Sequence, residues 1–204
     1  MGKKQKNRLP DKQSNLVHDF YPKNEKQEEL VRMIEEREVV LATGVAGTGK
    51  TFVTLATALS LLGERYKQVV LVKSVTTLPG EEIGFLKGDM EQKMEPFVMS
   101  YMWNIDKICG EGSAKALTEK KIIKILPLAY IRGLSIDNSI VIIDEAQRVE
   151  NIGITLKLIH DTYPEISLLV TGSSSLDLAN KITEPLTGRS VEVILYPLSV
   201  REVS

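Results

Sequence analysis

The sequence holds one cysteine in 204 residues, no apolar run of membrane-spanning length, and a formal net charge of -1. Each scarcity excludes something. A lone thiol, Cys109, has no internal disulfide partner, and the expected setting is reducing and cytoplasmic. A bilayer-crossing helix needs about 18 or more consecutive apolar residues, and no stretch supplies them, so no membrane partner is expected. The opening "MGKKQKNRLPDKQ" lacks the apolar stretch of a secretory signal. Lys6 stands where a myristoylated Gly2 would call for Ser or Thr. With 26 Lys+Arg against 27 Asp+Glu, the chain as a whole does not attract polyanions, and a nucleic-acid contact would need a local basic patch. There is no internal repeat and no low-complexity block.

What is present is a single-domain length and 43% hydrophobic residues, enough for a sizeable core. Residues 1–20 read as a disordered basic arm, and 21–204 as one domain. Helices are expected over 21–36, 51–63, 97–110, 113–120 and 152–162. Strands are expected over 38–43, 68–74, 121–128, 139–146, 166–174 and 190–198. Residues 75–96 read as a long loop or short helices. Strands alternate with helices and read as apolar runs, the pattern of an α/β fold with a mostly parallel sheet covered on both faces.

"GVAGTGKT" follows the strand "EVVLAT" and precedes a helix. It places Gly44, Gly49, Lys50 and Thr51 as a phosphate-binding loop requires. The glycines let the main chain through Val45, Ala46, Gly47 and Thr48 curl, so that N–H groups converge on phosphate oxygens. The next helix presents its positive end to the same anion. Lys50 would reach the β- and γ-phosphates of ATP, and Thr51 would ligate Mg²⁺. "SIVIIDEAQ" supplies an acidic station at a strand's C-terminal end. Asp144 would hold Mg²⁺ through water, and Glu145 would orient the attacking water or take its proton. Gln147 is either a γ-phosphate sensor or an exposed loop residue. Gln27 suits the adenine edge, or belongs to a helix cap with Asn24.

Residues 22–147 resemble the PhoH-like ATPases through "GVAGTGKT", "VLVKSVTTLPGEEIGFLKGDMEQKMEPF", "PLAYIRGLSIDNSIVIIDEAQ" and Gln27. The resemblance implies a single P-loop NTPase domain of RecA-like type, ATP hydrolysis and a tendency to form rings. It also implies an adenine contact for Gln27 and roles for Lys50, Thr51, Asp144 and Glu145 as above. Arg132 would contact a nucleic-acid phosphate or a neighbouring subunit's nucleotide, or be an ordinary surface arginine. Lys73 and Ser74, and less so Thr76 and Thr77, are candidates for touching RNA or single-stranded DNA. Phe85, Phe97, Tyr101 and Trp103 would stack on bases, though core packing is the favoured reading.

Past Gln147 the pattern departs. "TGSSS" replaces an expected acid with Ser173, and residues 144–203 resemble an AAA+-type ATPase family through "DEAQ", "DTYP", "TGSSS", "LTGR" and "YPLSVRE". The chain therefore reads as a mosaic, PhoH-like over 21–147 and AAA+-like over 148–204. Thr171 or Ser173 would offer a hydroxyl near the γ-phosphate. Arg189 would stabilise charge within the chain or across a ring, or merely follow a turn. The expectation is a five- or six-stranded Mg·ATP-hydrolysing device acting on RNA or single-stranded DNA as a homo-oligomer. The rivals are a nucleotide-dependent assembly switch, a small-molecule kinase, and a mosaic whose halves do not cooperate.

Overall fold

Both faces of the central sheet are dry, and this is why its strands read as unbroken apolar runs. The computed structural model describes residues 16–17, 20–73, 90–131, 136–173, 186 and 188–197. Among the described residues there are six strands: β1 (Val39–Gly44), β2 (Gln68–Lys73), β3 (Ile123–Pro127), β4 (Ser139–Asp144), β5 (Ser167–Gly172) and β6 (Ser190–Leu195). They form one sheet in the order β3-β2-β4-β5-β1-β6, and every pairing is parallel. The helices are α1 (Glu25–Glu36), α2 (Lys50–Ser60), α3 (Met90–Cys109), α4 (Ser113–Glu119) and α5 (Ile152–Thr162). The α/β architecture is the expected one, with six strands.

Successive strand residues point to opposite faces. Val40, Ala42, Val69, Leu71, Ile140 and Ile142 join a core with Leu30, Ile34, Leu55 and Leu59, on the face that carries α1 to α4. Val39, Leu41, Val70, Val72, Val141 and Ile143 join a second core with Ile152, Leu156 and Ile159 of α5. A polar substitution on either face would be buried without a partner, so neither face can alternate. The rim strand β6 is the exception, with Glu192 exposed between half-buried Val191 and buried Val193.

Several boundaries differ from expectation for physical reasons. α3 begins at Met90, within the stretch read as a long loop or short helices and ahead of residue 97, where the helix was expected. The run "MEQKME" consists of strong helix formers and carries the helix across Pro96. β4 stops at Asp144 because Glu145 takes a left-handed conformation, φ 57. Lys121, at φ 58, delays β3 in the same way. Leu16, Val17 and Phe20, assigned above to a disordered arm, pack against the core, and Phe20 meets Phe52 edge-on at 6.1 Å. Among the described residues no helix is long and apolar enough to cross a membrane.

Candidate active site

β1 delivers the glycine loop to the C-terminal edge of the sheet. Gly44 has φ 146, and a Cβ on it would overlap the Leu195 carbonyl oxygen of the neighbouring strand. Only glycine fits there. Gly49, left-handed at φ 85, starts α2 with no side-chain cap. The first-turn N–H groups of α2 therefore point back over the loop, the geometry of an anion site. The buried Thr48 hydroxyl donates to the Val45 carbonyl at 3.0 Å and ties the curl together. Lys50 Nζ donates to the carbonyls of Gly44 at 2.7 Å and Val45 at 2.8 Å. Burial lowers the Lys50 pKa from the ordinary lysine value, and the nearby Glu145 and Asp144 charges act against that.

Asp144 ends β4 beside the loop. Its Oδ1 accepts from Thr51 at 3.1 Å and from Thr171 of β5, and its Oδ2 accepts from Tyr101 at 2.9 Å and Lys73 at 3.1 Å. Burial would raise its pKa, but the Thr171 hydrogen bond, the Lys73 charge and the Tyr101 hydrogen bond outweigh it. The carboxylate is thus held below its ordinary value and stays ionised at neutral pH. Tyr101 is pushed the opposite way, by burial first and by Asp144 second, so its hydroxyl keeps its proton.

Thr51 and Asp144 bring a hydroxyl and a carboxylate oxygen together, the hard donors that Mg²⁺ takes. Among the described residues no group of three or more His, Cys, Asp or Glu is gathered for a metal. The Thr51 hydroxyl and Asp144 carboxylate fit an ion that keeps water and phosphate oxygens as its other ligands, which is the habit of Mg²⁺.

Glu145 follows on a left-handed turn and accepts from Gln147 Nε2 at 2.8 Å, with Arg148 Nε at 3.4 Å. Gln147 Oε1 in turn accepts from the Ser173 main-chain N–H at 3.2 Å. The exits of β4 and β5 are thereby linked through one side chain. Ser173 joins the site by its backbone. The Thr171 hydroxyl donates to Asp144.

Gln27 is buried against the loop. Its Nε2 reaches the Thr48 carbonyl at 3.4 Å, and its Oε1 accepts from the Lys23 N–H at 2.8 Å. Asn24 caps its N–H at 2.9 Å, while the Gln27 side chain returns to the Lys23 N–H, one residue before the cap, so the cap is present with its return bond displaced by one residue.

Two expectations about basic residues change. Lys73, a candidate for touching a polynucleotide, turns inward, because its strand register sets it opposite Asp144. Arg189 lies at the N-terminal edge of the sheet, opposite the glycine loop. It immediately precedes Ser190, which pairs with Val39, whereas Gly44 pairs with Leu195. Five residues of strand at ~3.3 Å each separate the two strand ends. Arg189 Nη1 pairs with Asp161 at 2.8 Å, so the structure does not bring it to the site of its own chain. Arg132, Ser74, Thr76, Thr77, Phe85 and the Phe97 side chain lie outside the described residues. Of the remaining aromatics, Tyr101 is buried on Asp144, and Trp103 is 68% exposed on α3. Tyr101 and Asp144 are far apart in sequence, and no local pattern announces their meeting.

A family model described as "PhoH-like protein" matches residues 19–182. The match runs past Gln147 and takes in much of the stretch that resembles an AAA+-type family. A PhoH-like protein of Bacillus subtilis is 34% identical over 121 residues, 59% of this chain and 38% of its own length. One of Synechocystis is 29% identical over 196 residues, 87% of this chain and 59% of its own. Protein PhoH of Escherichia coli is 32% identical over 129 residues, covering 62% of this chain and 36% of its own. The chain thus spans between about a third and three-fifths of these relatives. Among solved structures, a hypothetical ATP-dependent RNA helicase from Sulfolobus tokodaii superposes with TM-score 0.55 at 15% identity, over 86% of this chain and 53% of that one. The helicase MrfA bound to DNA gives 0.55 at 13%, over 83% and 25%. These two show a shared fold.

Proposed function

The chain belongs to the PhoH-like family, and from that premise we propose that it is a Mg²⁺-dependent ATPase acting on RNA or single-stranded DNA. The observation that supports hydrolysis best is the meeting of loop and acid pair. Thr51 Oγ1 is 3.1 Å from Asp144 Oδ1, with Glu145 next in the chain. Main-chain N–H groups of residues 44–51 would cradle the phosphates, and Lys50 would exchange the Gly44 and Val45 carbonyls for β- and γ-oxygens. Mg²⁺, when bound, supplies charge neutralisation between those phosphates. Thr51 would hold it directly and Asp144 through water. Glu145 would orient the attacking water and take its proton, steadied by Gln147. Gln27 would brace the loop, and the adenine contact that the resemblance implies is separated from bracing by nucleotide choice.

An arginine for the developing charge would come from Arg132 or from a neighbouring copy. Arg189 faces away from its own nucleotide loop, so its contribution, if it is used, goes to a partner in a ring. The polynucleotide half of the reading rests on the motif set "VLVKSVTTLPGEE", with Trp103 exposed on α3 for stacking. The net charge of -1 favours the second reading, an ATP-driven assembly switch without motor activity.

Phosphate release measured with and without RNA and single-stranded DNA, on protein sized by light scattering, decides between them. Turnover stimulated by a polynucleotide and lost in Lys50→Ala and Glu145→Gln is expected. Unaltered turnover in both variants overturns the mechanism. ATP-dependent assembly with no polynucleotide response selects the switch.

A further inference from the structure

Among the described residues, the side chains of Thr51, Thr171, Tyr101 and Lys73 converge on Asp144 and are shared between its two oxygens. Thr51 and Thr171 donate to Oδ1, while Tyr101 and Lys73 donate to Oδ2. Thr51 ends the glycine loop, so the Oδ1 side is the phosphate side. Tyr101 approaches from α3, 1% exposed, with Lys73 Nζ 5.8 Å from its ring centre. A carboxylate turns easily about its last torsion, and its two oxygens exchange places unless something distinguishes them. Here one oxygen is pinned from behind by a hydroxyl and an ammonium, and the other, which also accepts from Thr171, is turned toward Thr51.

We propose that Tyr101 is a positioning residue for the metal carboxylate: with Lys73 it fixes Oδ2, so that Oδ1 faces Thr51 and the water shell of a divalent cation. The inference rests on the Mg·ATP reading above. Tyr101 touches neither nucleotide nor metal. It acts through Asp144, as hydrogen-bonded groups behind a metal ligand commonly do. Lys73 alone would not suffice, because an ammonium on a flexible stem is a point charge with no preferred plane. The phenol, held rigidly in the core, supplies the direction.

The test separates metal from nucleotide. Binding of a fluorescent ATP analogue is measured in EDTA and across a Mg²⁺ titration, for the parent and Tyr101→Phe. Phenylalanine keeps the ring, its packing and its contact with the Lys73 ammonium, and removes only the donor. The half-saturating Mg²⁺ concentration is expected to rise about tenfold, the range found when such supporting groups are removed. Affinity in EDTA is expected to stay within about twofold, and the melting temperature in EDTA to fall by only a few degrees. A merely structural role would lower the EDTA affinity and the metal-supported affinity together. Mn²⁺ binding followed by its paramagnetic signal gives a second readout that needs no turnover, and the same rise is expected there. A Mg²⁺ midpoint unmoved in Tyr101→Phe, with a parent that does bind Mg·nucleotide, overturns the inference and leaves the proposed function standing. A parent that binds no nucleotide at all overturns both.

Discussion

Lys73 and Asp144 stand opposite one another on adjacent strands, with Nζ 3.1 Å from Oδ2. Both side chains are largely buried, at 15% and 9% exposed, so the cation holds an acid that has little water to fall back on. Breaking a buried pair by removing one partner costs about 3–5 kcal/mol, and three further hydrogen-bond donors on Asp144 put this case near the lower end, about 3. Lys73→Met is therefore expected to lose that much in urea unfolding at pH 7.

The same pair sets an acid limit. Burial favours the protonated acid, but Thr171, Lys73 and Tyr101 together depress the Asp144 pKa below its ordinary value. A depressed carboxyl contributes its stability in full above the unfolded value, about 3.9, and loses it as pH falls through the folded value. The gap between parent and Lys73→Met should accordingly be constant from pH 7 to about 5 and close below about 4. Urea midpoints taken across that range check it. A gap that persists unchanged at pH 2.5 would show that the loss comes from packing.

Lys50 carries the opposite linkage. Its charged form is disfavoured by burial. A lowered lysine pKa means that folding is opposed below the folded value and relieved as pH rises through it. Lys50→Met should then melt no lower than the parent at pH 7, while nucleotide binding drops by at least about tenfold. In the parent, nucleotide affinity should decline with rising pH before an exposed lysine would titrate, at about 10.4. Thermal melts and calorimetry in paired buffers measure both.

Gly44 and Gly47 offer a matched comparison. Both have positive φ, 146 and 81, but only Gly44 has a neighbour, the Leu195 carbonyl, where a Cβ would go. Gly47→Ala is expected to cost about 1 kcal/mol from backbone strain alone. Gly44→Ala must also push β6 away, and should cost more than twice as much and abolish nucleotide binding. Equal melts for the two variants would contradict the close approach seen here.

Gln27→Ala removes an amide that touches Thr48 and accepts from Lys23. If bracing the loop is its work, ATP and GTP should weaken by the same factor, and that is the expected outcome. Loss confined to ATP would instead assign the amide to the adenine edge.

The parts of the site that are contiguous in the chain were readable from the letters. The glycine loop, Lys50, Thr51 and the Asp144–Glu145 pair each sit in a short segment whose strand-then-turn context is local. The strands were readable because both faces are buried, which erases alternation and leaves apolar runs. Strand order was not, and it decides what lies beside what. It turns Lys73 onto Asp144. Arg189 stands at the opposite strand end because β6 runs parallel to β1 and begins at Ser190. Tyr101 looked like core and is core. Its chemical role comes from one hydroxyl meeting an acid 43 residues away, which no helical or strand period encodes.

β6 is a rim strand, paired with β1 on one side. The carbonyl group of its last residue, Leu195, fills the space that a side chain at residue 44 would otherwise take. The rim is therefore one wall of the phosphate cradle rather than a bystander to it. Any shift of Leu195 would therefore bear directly on the Gly44 peptide, so the set of β6 and the curl of the loop cannot vary independently.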